Sequence, residues 1–76
     1  MDWNRVFYDI HKLMHESNQM LNKVSLVSDA YWQWFIPEIG SIEVKYNRNP
    51  LVIKFLSAIL ETQDENCKLM MRRNGK

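Results

Sequence analysis

The chain has 76 residues, with ten Lys or Arg against nine Asp or Glu and a net charge of +1. That length leaves room for one domain with one small core, which buries only about 60% of its unfolded surface. The balanced charge gives no electrostatic footprint for nucleic acid, the lone Cys67 rules out an internal disulfide, and no apolar run approaches the ~20 residues of a membrane span.

The opening residues MDWNRVFYD lack the basic and apolar regions of a secretory leader. With a single unpaired cysteine, the expectation is a soluble cytoplasmic protein. A hydrophobic fraction of 46% fits a globular domain rather than a disordered one, and only two Gly and two Pro favour helices over loops.

In chain order, Asp2 reads as an N-cap. Trp3, Val6, Ile10, Leu13, Ser17, Met20 and Val24 then follow an unbroken 3-4 spacing, and Phe7, Met14 and Leu21 widen the same seam. This predicts a first helix over about 3–24, with Ser17 as a small residue allowing close approach or helping to fix register. Ser25 and Ser28-Asp29 are caps for a second helix, DAYWQWFI, expected to stop near Pro37, which cannot continue the hydrogen bonding.

The stretch PEIGSIEVKYNRNP reads two ways. Ile39, Ile42 and Tyr46 share a helical face, whereas Ile42, Val44 and Tyr46 alternate as in a strand that would pair with LVIKF. A short helix is the favoured reading, because an isolated hairpin is marginal. Asn49-Pro50 then opens the last helix, over about 50–73, with Asn74-Gly75 as its stop. The expected fold is therefore a single all-α domain spanning 1–76. Two long helices pack antiparallel, joined by one or two short helices.

The last helix carries an unusually wide apolar arc. Leu51, Val52, Ile53, Phe55, Leu56, Ala58, Ile59, Leu60, Cys67, Leu69, Met70 and Met71 spread over roughly 220° at about 100° per residue, against the roughly 100° stripe of an ordinary surface helix. Such a helix is central in its own fold or shared with another chain. A two-fold dimer is expected, with Val52, Phe55, Ile59 and Met70 in self-contact.

The aromatic cluster Tyr31, Trp32, Trp34 and Phe35 is the strongest candidate for partner binding, because Trp and Tyr dominate interface hot spots. The same residues also suit a small core. Two or three are expected inside, leaving at least one for a partner. Loss of Trp32 or Trp34 from such a site would cost about 2 kcal/mol or more in affinity.

Tyr8, His11, His15, Asn18 and Asn22 form a second candidate strip on helix one, with hydrogen-bonding groups and no Lys, Arg, Asp or Glu. Interface centres are depleted in such charges. The plainer reading is a polar border between core and solvent. His11 and His15 sit four apart, as zinc ligands can, but HKLMH lacks the glutamate of HExxH, and two solvated or interface histidines are the simpler reading.

No GxSxG, phosphate-binding loop or GxGxxG is present. Cys67 inside the apolar arc reads as an inert thiol. No catalytic residue, metal or cofactor is expected. Lys68, Arg72, Arg73 and Lys76 form a basic end that suits the helix dipole. The leading expectation is a non-enzymatic regulator or inhibitor docking on a larger protein, a style familiar among phage and mobile-element proteins. A nucleic-acid accessory protein using Lys45, Arg48, Lys54 and Arg72-Arg73 is an alternative, as is a structural homo-oligomer.

Overall fold

Asp2 starts α1 (Trp3–Leu21) by accepting the Arg5 amide at 3.3 Å through its carboxylate. Ser28 caps α2 (Asp29–Lys45) by accepting the Tyr31 amide at 3.5 Å. Asn49 opens α3 (Pro50–Asn74), its side-chain oxygen accepting the Leu51 and Val52 amides at 2.9 and 3.3 Å. These contacts satisfy helix-start amides that have no partner within the helix. The structure, a computed structural model, describes residues 1–74. Gly75 and Lys76, and with them part of the expected stop signal and basic end, lie outside the described residues.

The three helices form a small all-α bundle. α1 ends three residues earlier than the seam suggests. The amides of Lys23 and Val24 both reach the Met20 carbonyl at 2.9 Å, closing the turn and carrying Leu26 into the core.

Pro37 does not end α2. The helix runs through it to Lys45, so the middle of the chain is one 17-residue helix, and the hairpin reading fails. Pro37 cannot donate to the Gln33 carbonyl, but both residues are exposed, so the break in the ladder lies on the solvent side. Burial of Ile39 and packing of Ile42 and Tyr46 on the core hold the second half of the helix in place.

A full-length middle helix also changes the packing sense. Ser17 of α1 meets Tyr31, and Asp9 meets Tyr46, so α1 and α2 are antiparallel. Trp3 and Phe7 meet Phe55 near the start of α3, while Ser17 approaches Gln63 further along it. The two long helices are therefore parallel, not antiparallel as expected.

The core takes Val6 and Leu13 from α1, Leu26 from the first connection, Tyr31, Phe35 and Ile39 from α2, and Val52 and Leu56 from α3. Full burial of each large side chain contributes about 1.5–3 kcal/mol. Ser17 does more than permit close approach. It is fully buried, its hydroxyl 2.7 Å from that of Tyr31, which also accepts Gln63 Nε2 at 3.0 Å. One polar group from each helix meets at this point.

At the other end, Asn47 and Arg48 turn the chain from α2 into α3, both with a left-handed φ of 55°. α3 is the longest element, and its 25 residues rise about 37 Å at 1.5 Å each, which sets the long axis of a molecule measuring 47 × 22 × 17 Å. Among the described residues, no helix is long and apolar enough to cross a membrane.

Candidate protein-binding face

Parallel packing leaves α1 and α3 side by side on one face of the bundle. Trp3 and Phe7 lie one helical turn apart on α1 and both reach Phe55 on α3. Their ring centroids are 6.3 Å (Trp3–Phe7), 6.4 Å (Trp3–Phe55) and 5.7 Å (Phe7–Phe55) apart. The cluster is not sealed. Phe7 is 51% exposed and neighbouring Leu51 is 46% exposed, while Trp3 and Phe55 are half-buried. A shallow apolar depression of about 210 Å3 continues the seam, lined by Met14, Ala58, Ile59, Thr62 and Gln63.

The neutral strip of α1 borders this seam. Tyr8 is 65% exposed, and His11, His15 and Asn18 are exposed as well. Helical spacing places His11 and Asn18 beside Phe7 and Met14. The face thus combines an aromatic and aliphatic middle with hydrogen-bonding groups along one flank. None of these residues is Lys, Arg, Asp or Glu. An apolar centre with a neutral polar rim and no stranded charge is the composition of an interface core.

The predicted cluster on α2 divides differently. Tyr31 and Phe35 are fully buried and stacked, with centroids 5.1 Å apart, so neither has surface to offer a partner. Trp32 and Trp34 flank them, half-buried, and Trp32 donates its indole N–H to the Leu26 carbonyl at 2.8 Å. Of the residues expected in self-contact, Val52 is fully buried in this chain's own core, Ile59 and Met70 are half-buried and packed at its edge, and half-buried Phe55 lies against Trp3 and Phe7.

Sequence reading did not single out Trp3 and Phe7 as candidate contact residues. Their four-residue spacing was visible, but the continuous seam assigned them to the core. Only the parallel course of α3 shows that the edge of this seam stays open.

The α1–α2 side is unlike the aromatic face. A groove of about 240 Å3 is lined by Asp9, Lys12, Leu13, Glu16, Glu38, Ser41, Ile42 and Lys45. Asp9 accepts the Lys45 ammonium at 2.9 Å and the Tyr46 hydroxyl. Burial works to raise the Asp9 carboxyl, but the hydrogen bonds from Tyr46 and Lys45, with the charges of Lys45 and Arg5, outweigh it and hold Asp9 below its ordinary 3.8. Burial, then the Asp9 bond and charge, push the Tyr46 hydroxyl above its ordinary 10.0.

A depressed carboxyl lends stability that is complete above its unfolded value and is lost as pH falls through the folded value. A raised phenol lends stability that is complete below its unfolded value and is lost as pH rises through the folded one. Asp9→Asn is therefore expected to flatten the fall in stability below about pH 4, measured by urea unfolding at several acidic pH values. An unchanged slope in the variant would remove Asp9 from the acid limb.

The remaining candidates do not converge. His11 and His15 gain no third ligand, and among the described residues no group of three or more His, Cys, Asp or Glu is placed to hold a metal. Lys45 and Arg48 end α2 beside the start of α3, while Arg72 and Arg73 lie in the last turn of α3. The 18 residues from Lys54 to Arg72 rise about 27 Å, so these cations form two separate ends and not one surface. Cys67 is half-buried, its sulfur 4.0 Å from that of Met71. Comparison with known protein families, with characterised proteins and with solved structures gives no match to this chain.

Proposed function

We propose that this chain is a non-enzymatic regulator or inhibitor that acts by docking on a larger protein, with the α1–α3 face as its contact surface. The observation that carries the reading is the Trp3–Phe7–Phe55 cluster, which is packed at its base and open at its top. A small domain near the limit of independent stability has every reason to bury such rings, and aromatic side chains on a firm support are what interface hot spots are made of. Tyr8, His11 and His15 supply the polar flank. Trp32 and Trp34 form a secondary surface on α2.

The test uses the wild-type chain as bait in the cells that make it, followed by affinity measurement on the recovered partner. Phe7→Glu is expected to weaken binding by about 30-fold or more, the equivalent of a hot spot of about 2 kcal/mol. Lys23→Glu, an exposed position in the turn after α1 and away from the aromatic cluster, is expected to bind as wild type. Helical circular dichroism verifies that both variants fold. A folded Phe7→Glu chain with full affinity would rule this face out. Loss on Trp34→Ala would then move the site to α2.

A further inference from the structure

We infer that a second copy of this chain docks antiparallel along the outer side of α3. The inference rests on the reading of this protein as one that binds through exposed helix surfaces, but it concerns the second half of α3, which shares only Thr62 with the aromatic face.

The second half of α3 is charged in two blocks. Glu61, Asp64 and Glu65 come first, and Lys68, Arg72 and Arg73 follow. Helical spacing places Glu61, Glu65, Lys68 and Arg72 on one side of the helix, with Thr62 and Leu69 beside them. All six are exposed, Leu69 by 52%. Leu69 also lines a depression of about 260 Å3 together with Glu65, Lys68 and Arg72. α1 runs four residues past Ser17 to Leu21, and α3 continues beyond Gln63 with Cys67 and Met70 still packed on the core through their inner side. From Gln63 to Asn74, α3 continues for about 16 Å.

Within one chain this pattern is poorly satisfied. Glu61 and Glu65 are four apart and repel, as do Lys68 and Arg72, and only Glu65 and Lys68, three apart, are favourably spaced among these four. The ion pair recorded on this stretch is Lys68 to Asp64, at 3.1 Å between exposed groups.

A second copy running the opposite way relieves both repulsions. If the two-fold axis falls between residues 66 and 67, Glu61 faces Arg72 of the other copy and Glu65 faces Lys68, and symmetry doubles each pair. Leu69 then lies against Thr62 of the other copy, near the axis. A parallel pairing would instead set acid against acid and base against base. The same charges thus favour one orientation and penalise the other, which is how charged helix flanks choose partners. Individual exposed ion pairs are weak, so the dimer is concentration-dependent and salt-sensitive.

The experiment is sedimentation equilibrium of the full chain across concentration. Raising ionic strength from ~0.1 M to ~1 M shortens the screening length from about 10 Å to about 3 Å. The wild-type dimer is expected to weaken accordingly. The double variants Glu61→Lys/Glu65→Lys and Lys68→Glu/Arg72→Glu are each expected to weaken the dimer by about tenfold or more, and the two mixed together re-form a heterodimer. The quadruple exchange, carrying all four substitutions, restores the homodimer only if the copies are antiparallel.

All four positions are exposed, and helical circular dichroism confirms each fold. A monomeric wild type at all concentrations, dimerisation unaffected in the double variants, or a quadruple variant that stays monomeric would each overturn the inference. None of these outcomes bears on Phe7→Glu, so the aromatic face stands or falls separately.

Discussion

Phe35→Ala is expected to lower the thermal midpoint by at least about 12 °C, the largest effect of any single truncation considered. Phe35 is fully buried in the middle of the bundle. Its ring stacks on Tyr31 at 5.1 Å and touches Trp32 and Trp34 at 5.8 and 6.0 Å. Removing such a ring costs about 3–5 kcal/mol, because the lost transfer energy adds to the cavity left behind.

A chain of this length holds only roughly 4–11 kcal/mol in total at the usual 0.05–0.15 per residue. The truncated protein therefore keeps little or no margin. Thermal melts followed by circular dichroism give the answer. A fall of less than about 5 °C, the shift of a single kcal/mol, would mean that Phe35 does not anchor the core.

Tyr31→Phe is expected to cost about 2–3 kcal/mol although it deletes a single oxygen, because that oxygen is the meeting point of three helices. The Tyr31 hydroxyl lies 2.7 Å from the Ser17 hydroxyl and 3.0 Å from Gln63 Nε2. Without it, Ser17 and Gln63 keep only their own contact at 3.5 Å, with Asn66 still donating to Gln63 Oε1 at 3.2 Å. A buried polar group stranded in this way costs about 1–3 kcal/mol, whereas removing all the partners together is far cheaper.

The triple variant Ser17→Ala/Tyr31→Phe/Gln63→Met is therefore expected to be more stable than the sum of its single substitutions implies. Urea unfolding of the wild type, the three single variants and the triple variant measures the difference. Strict additivity would show that the three groups do not act as a network.

Much of the fold was legible before the structure. The 3-4 spacing from Trp3 onward marks an amphipathic helix whatever surrounds it, and Asp2, Ser28 and Asn49 are caps because their side chains accept amides that any helix start leaves free. What could not be read depends on tertiary context. Pro37 argues for a stop on local grounds, and only the packing of Ile39, Ile42 and Tyr46 overrides it. Once α2 runs its full length, the sense of α3 reverses relative to expectation, and with it the fate of Trp3 and Phe7.

Within YWQWF the residues point in several directions. Which of them are core is decided by where α1 and α3 lie, and no periodicity inside the segment contains that information. The link between Ser17, Tyr31 and Gln63 spans 46 residues of sequence and has no local signature at all.

Exposure is commonly taken as freedom to vary, and the turn between α2 and α3 is an exception. Asn47 and Arg48 are both exposed, yet each holds a φ of 55°. An L-residue in that region brings its Cβ close to the following carbonyl, at about 1–2 kcal/mol per residue, a cost that glycine escapes and asparagine or aspartate can soften. A β-branched residue fits there worst of all. Arg48 already carries that cost in the native chain, so other unbranched residues fit there equally well, whereas Val, Ile or Thr would add strain and glycine would relieve it. At this turn the side chains are free in solvent while the backbone beneath them is constrained.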